Sequence, residues 1–203
     1  MYRPSCTYNL STLGAEKDAS SLRNLHRDAS SPSTIDHRRT WHASMGKPVY
    51  RAEQALVVKQ AQTRDVKAIR AIVLAAYEKY VVRIHKLPAP MTTDYAKLLA
   101  TNSVYVLRSD SALLGSIVLA KEGDSLQVNN VVVDPTLQGR GYGRLLMKFA
   151  EDKARQEKVS SITLFTNEKM YENVGLYCRL GYREVERREQ DGFQRVFFRK
   201  TLV

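Results

Sequence analysis

Three glycines at alternate positions, in Gln138-Gly139-Arg140-Gly141-Tyr142-Gly143, stand between an apolar run and an amphipathic segment, and few folds accommodate that order. The run before them, Val128-Asn129-Asn130-Val131-Val132-Val133, reads as a buried strand. The segment after them, Arg144-Leu145-Leu146-Met147-Lys148-Phe149-Ala150-Glu151, repeats its apolar residues at helical spacing. A strand, a glycine-rich turn and a helix leave backbone N–H groups unpaired at the helix start, all aimed one way. That end of a helix carries partial positive charge, so the arrangement suits a phosphate.

Two familiar phosphate loops fit badly. The Walker type closes on a lysine followed by Ser or Thr, which this loop lacks. The dinucleotide type spaces its glycines G-x-G-x-x-G directly after the strand. Here the spacing is G-x-G-x-G, and Asp134-Pro135-Thr136-Leu137 intervenes. A third pattern, [QR]-x-x-G-x-[GA], is met by Gln138, Gly141 and Gly143. With Val131-x-Val133-x-Pro135 before it and Leu176-Tyr177-x-x-x-Gly181-Tyr182 after it, the chain resembles the GNAT superfamily of acetyl-CoA-dependent N-acetyltransferases. The resemblance extends over roughly Leu56 to Leu202.

It implies an α/β fold: a single GNAT-type domain over residues 51–203, with a mixed, splayed central sheet flanked by helices. The local pattern agrees. Ala55–Gln60 reads as a strand, Thr63 as a helix cap, and Val66, Ile69, Val73, Ala76 and Tyr80 as one helix face. Leu87–Met91, with two prolines, ends that helix. A short helix over Asp94–Leu99 follows, then strands at Val104–Leu107 and Leu113–Leu119 around a Ser-Asp-Ser turn. Beyond the loop, strands are expected at 162–165, 182–186 and 193–198, with a helix over about Tyr171–Leu180.

Residues 1–50 have no sustained apolar period and several serine clusters, so their composition predicts a disordered tail. No apolar run approaches the ~20 residues that a membrane helix needs. Two cysteines, Cys6 and Cys178, give neither a disulfide framework nor zinc spacing, and four histidines form no ligand pattern. A cytoplasmic protein without metal is therefore expected, as monomer or homodimer. The net charge of +11 attracts polyanions in general. No basic run interleaved with aromatics appears, so no specific nucleic acid is expected as a partner.

Further site assignments follow from the resemblance. It implies that acetyl-CoA is a co-substrate, with an amine as acceptor. Its pyrophosphate falls to Gln138, Gly139, Arg140, Gly141, Tyr142, Gly143 and Arg144. Its pantetheine arm falls to the backbone of Val131, Val132 and Val133, where an N–H would polarise the thioester carbonyl. Tyr177 matches the tyrosine that protonates the departing thiolate. A departing thiolate, whose thiol has a pKa near 8.5, can take a proton from a phenol near 10 as the bond breaks. Two positions depart from the family pattern: Met170 stands where many members have Asn, and Asn173 where they have a small residue. Asn167, at a strand exit, is expected to take over a cofactor contact.

Glu78, Glu122 and Asp94 are the candidate general bases by location. Tyr77, Tyr80 and Tyr95 are candidates for the acceptor pocket or for core packing. The pair Asn129-Asn130 is unusual in a buried strand, since amides need partners, and a bulge or a substrate-facing position would explain it. The rival to an enzyme is a non-catalytic acyl-CoA-binding sensor. A retained Tyr177 favours turnover.

Overall fold

The computed structural model describes residues 55–101, 103–110 and 112–202; the tail expected over 1–50 lies outside them. Seven strands form one sheet in the order β1-β2-β3-β4-β5-β7-β6. They are β1 (Val57–Gln60), β2 (Val104–Arg108), β3 (Leu113–Glu122), β4 (Ser125–Val133), β5 (Ser161–Asn167), β6 (Arg183–Gln190) and β7 (Phe193–Thr201). Every pairing is antiparallel except β4 with β5. The mixed sheet expected from the sequence is thus present.

The parallel pairing is brief. Ser125–Val128 align with Ser161–Leu164, and there it stops. β5 continues to Asn167 on β7 alone, while Asn130–Val133 continue on β3 alone. Past Val128 the two strands therefore diverge, each with one edge unpaired. This is the splay.

Helices cover both faces. Helix α1 (Val66–Ile84) packs Ile69, Ile72, Val73 and Ala76 against Val104, Val106, Val118 and Val132. Helix α4 (Tyr142–Gln156) packs Leu146, Met147 and Ala150 against Leu107, Ile117, Leu126 and Val133. Its apolar stripe and its charged outer face, with Lys148–Asp152 at 2.7 Å, are those of an amphipathic surface helix. Helix α5 (Tyr171–Arg179) adds Val174 and Tyr177 to the α4 side. Of the two cysteines, Cys178 is on α5, and Cys6 lies outside the described residues.

Between β1 and β2 the structure refines two expectations. Thr63 is not a helix cap. It opens a one-turn 3₁₀ segment (Thr63–Asp65) ahead of α1, capped by Gln62. The reason is Asp65, which is buried, accepts from the Gln62 N–H at 2.9 Å and pairs with Arg108 of β2 at 2.8 Å. The proline segment, in turn, does more than end α1. His85 closes α1 in the left-handed region, and α2 (Ala89–Thr92) then forms a single turn with a proline at its start. Asp94 caps α3 (Tyr95–Ala100) through the N–H groups of Ala96 and Lys97.

In β4 the register on β3 slips. Val118 faces Asn130 and Leu119 faces Val128, so Asn129 is an extra residue, a bulge. Side chains alternate along a strand, and one extra residue inverts the alternation. Before the bulge, Leu126 and Val128 join the layer under α4. After it, Val132 joins the layer under α1, and Val133 the layer under α4.

Gly115 of β3 sits opposite Val133. A Cβ there would stand 2.5 Å from the carbonyl oxygen of Val132 and 3.3 Å from a methyl of Leu146. Backbone and a core side chain hold it on both sides. Gly115→Ala should therefore lower stability by about 1–3 kcal/mol, as overpacking does. An unchanged denaturation midpoint would show that β4 yields more easily than this packing indicates.

Candidate active site

The glycine loop takes its shape from two residues in the left-handed region, Gly139 at φ +80° and Gly141 at φ +84°. A Cβ at either would meet nothing within 4 Å, so backbone conformation, not space, requires glycine there. Gly141 is the residue just before α4, with no side chain capping the helix start. The first turn holds no acidic residue to compete for its N–H groups. Gln138 turns back to β4, its amide donating to the Val133 carbonyl at 3.3 Å. It anchors the loop to the strand end.

The alternation of β4 also sorts the three valines. The Asp134 N–H reaches the Leu114 carbonyl on β3 at 2.9 Å, so Val132, two residues back, turns its backbone to β3 as well. Val131 and Val133 then turn theirs toward the splay. The expectation of three equivalent positions gives way to two, with Val132 serving β3 and the core.

Two clefts open at the splay. One, of about 450 Å³, is lined by Val131–Val133, the loop glycines, Arg144, Lys79 and Arg179. Glu172 also lines it, held below the usual carboxylate range by its hydrogen bond from Arg83 at 2.9 Å. Arg140, by contrast, is exposed and lines neither cleft. The other cleft, of about 340 Å³, lies between α1–α3 and the ends of β5 and β7. Tyr77, Tyr95, Asn130, Asn167, Met170 and Arg195 are among its walls. Val131, Tyr77, Asn173 and Tyr177 line both.

Tyr177 is 5% exposed, and its ring packs on Phe198 at 5.6 Å and on Tyr182 at 6.1 Å between centroids. Burial pushes its hydroxyl well above 10, so the proton stays on at any working pH. Asn130 is the centre of a buried polar row. The Tyr77 hydroxyl donates to its Oδ1 at 2.7 Å, and its Nδ2 donates to the Tyr95 hydroxyl at 3.1 Å. Tyr95 in turn donates to the Pro90 carbonyl at 3.2 Å. Burial raises both phenols, Tyr95 to about 12. The two asparagines that looked out of place are thus accounted for: Asn129 is the bulge, and Asn130 is swung by it into the cleft.

The candidate bases fare differently. Asp94 is spent capping α3, and Glu78 and Glu122 are exposed residues that line neither cleft. Asn167 is at the second cleft, with its Oδ1 accepting from the Lys169 N–H at 2.9 Å. The hydroxyl of Thr166 and the amide of Asn173 both point to the Met170 sulfur, at 3.5 and 3.7 Å. Sequence reasoning missed Arg195 and Phe193, because hairpin residues reach this cleft only through the order β5-β7-β6, and it passed over Thr166, beside Asn167 at the end of β5. Among the described residues no cluster of His, Cys, Asp or Glu could hold a metal. No helix of the described residues is long and apolar enough to cross a membrane.

A mixed sheet that splays past its one parallel pairing, with a glycine loop and a helix start beside one arm, recurs in solved N-acetyltransferase structures. The ribosomal-protein-S18-alanine N-acetyltransferase from Escherichia coli superposes with a TM-score of 0.58 at 20% identity, covering 72% of this chain and 94% of that one. The PaiA N-acetyltransferase from Thermoplasma acidophilum, in complex with coenzyme A, gives 0.62 at 14%, covering 73% and 99%. YncA from Salmonella typhimurium, with its cofactor acetyl-CoA, gives 0.58 at 20%, covering 73% and 95%. At such identities the likeness is one of fold. No curated protein sequence matches the chain. The family model described as "Acetyltransferase (GNAT) domain" matches residues 100–184, which span β4, the loop and α5. Over residues 100–184 the chain is thus similar to an acetyltransferase (GNAT) domain.

Proposed function

We propose that the protein transfers the acetyl group of acetyl-CoA to a primary amine by direct attack on the thioester. One observation carries this reading: the loop cleft and the second cleft meet at Val131 and Tyr177. A thioester lying along the unpaired edge of β4 would end there, within reach of an amine arriving from the other side.

Each residue then has a task. The first-turn N–H groups of α4 and the Gly139–Gly141 backbone take the pyrophosphate, with Arg144 at the cleft wall. Val133 and Val131 offer backbone groups to the amides of the pantetheine arm, as a neighbouring strand would. The Val131 N–H polarises the thioester carbonyl where negative charge develops. The amine nitrogen bonds to the carbonyl carbon, and the C–S bond breaks. Tyr177 meets the departing sulfur first with a hydrogen bond and then with its proton. Neither Asp, Glu nor His is among the described residues lining the second cleft. The proton that the amine sheds therefore leaves through water along the Tyr77–Asn130–Tyr95 row, and a proton taken back from water restores the Tyr177 phenol.

A thiol-release assay with acetyl-CoA across a panel of amines tests this. Turnover with at least one amine is expected; binding of acetyl-CoA with no turnover on any would instead identify a sensor. A chain that begins at Met45 should keep both its melting temperature and its affinity for acetyl-CoA, since the first described strand starts at Val57. Loss of either in calorimetry would mean that residues before Met45 pack on the domain.

A further inference from the structure

We infer that the acceptor is a primary amine that also bears a carboxylate, and that Arg195 holds this carboxylate. The inference rests on the acetyltransferase reading and adds the substrate class to it.

Arg195 lines the second cleft, and its side chain is only 9% exposed. Its guanidinium lies 4.2 Å from the centre of the Phe165 ring. Phe165 belongs to β5, so the side chain crosses back from β7 toward the splay. Its level in the sheet is also right. Arg195 pairs with Asn167, three residues past Leu164 on β5, and Val131 is two rungs past Val128, the partner of Leu164, so the two levels agree to within one residue. A small molecule in this cleft therefore has the acetyl-transfer point on one arm of the splay and a guanidinium reaching in from the other.

The rest of the wall agrees in sign. Asn130, Asn167, Asn173, Thr166, Tyr77 and Tyr95 are all neutral. A polyamine would bring two or more positive charges to a wall that holds an arginine and no acid, with nothing to offset their desolvation. A carboxylate, by contrast, meets a planar fork suited to two parallel hydrogen bonds. Asp191 does not use that fork up. It accepts from one Nη2 at 2.8 Å, and its own side chain is 67% exposed, in water at the β6–β7 turn. Four of the five guanidinium N–H donors have no hydrogen bond with a described residue. Lys86 adds positive charge at the rim, 4.3 Å from the Phe193 ring and bonded to the Asp191 carbonyl at 2.8 Å.

The test compares kcat/KM for the common amino acids, their carboxamides, the decarboxylated amines and spermidine, with acetyl-CoA binding followed separately by calorimetry. Turnover of carboxylate-bearing amines should exceed that of their carboxamides by at least ~10²-fold, because a buried group built to pair is otherwise left unpaired. Arg195→Gln should cost the preferred acceptor about 10²-fold, mostly in KM, leave the poor acceptors where they were and leave acetyl-CoA affinity unchanged. Arg195→Lys should recover part of the loss. Carboxamides or spermidine used as well as amino acids would overturn the inference while leaving acetyl transfer intact. So would an Arg195→Gln loss shared equally by every acceptor. Failure of the wild-type protein to bind acetyl-CoA, or binding with no turnover of any amine, would overturn the acetyltransferase reading and this inference together.

Discussion

Gly141→Val removes the stabilisation that acetyl-CoA confers on the wild-type protein. At a ligand concentration of ~100 times Kd that stabilisation is about 2.7 kcal/mol, or roughly 5–11 °C in melting temperature for a domain of this size. Gly141 holds φ at +84°, where a β-branched residue is strained by about 1–3 kcal/mol, and it sets the direction in which α4 presents its first N–H groups. Nothing lies within 4 Å of an added Cβ, so the unliganded variant should still fold, with the loop turned away from its anion-binding shape. Thermal melts with and without acetyl-CoA check this. A normal ligand shift in the variant would mean that the pyrophosphate is held elsewhere.

Tyr177→Phe slows turnover by about 10²–10⁴-fold and leaves acetyl-CoA affinity nearly unchanged. The ring keeps its contacts with Phe198 and Tyr182, so the variant should fold. What disappears is one buried hydroxyl at the meeting point of the two clefts. Because burial raises its pKa above that of a free tyrosine, the phenol stays protonated as pH rises through 9. The wild-type rate should therefore show no alkaline decline from Tyr177 below about pH 10. The defect should shrink with an acetyl thioester of a more acidic thiol, which needs less help to leave. Full kcat for the Phe variant with acetyl-CoA would remove Tyr177 from the chemistry.

Much of this was legible in the sequence because it is local. The glycine loop, its strand and its helix are contiguous, and the apolar spacing of α1 and α4 shows directly in their buried faces. Asn129-Asn130 pointed to a bulge or to a substrate-facing position, since two amides in an apolar run need partners. What stayed hidden depends on distant pairing. Asp65 reads as an ordinary first-turn acid until Arg108 is brought to it. The general-base candidates were chosen for residue type, and only the packing shows that the acidic side chains face elsewhere. Arg195 lies 64 positions beyond Val131 in the numbering and reaches the same cleft because β7 inserts between β5 and β6.

The bulge at Asn129 gives β4 something like a reading frame, and that frame constrains how the strand can change length. Drawing Asn129 into the ladder while keeping it in the chain would restore simple alternation, turning Asn130 toward the aliphatic layer under α4 and a valine toward Tyr77 and Tyr95. The polar row would lose its centre, and the backbone groups offered at the splay would be exchanged with those spent on β3. Chains descended from this one should therefore either keep an extra residue out of the ladder at this point or lose it altogether, while the turn at Gly123-Asp124, upstream of the frame, can lengthen freely.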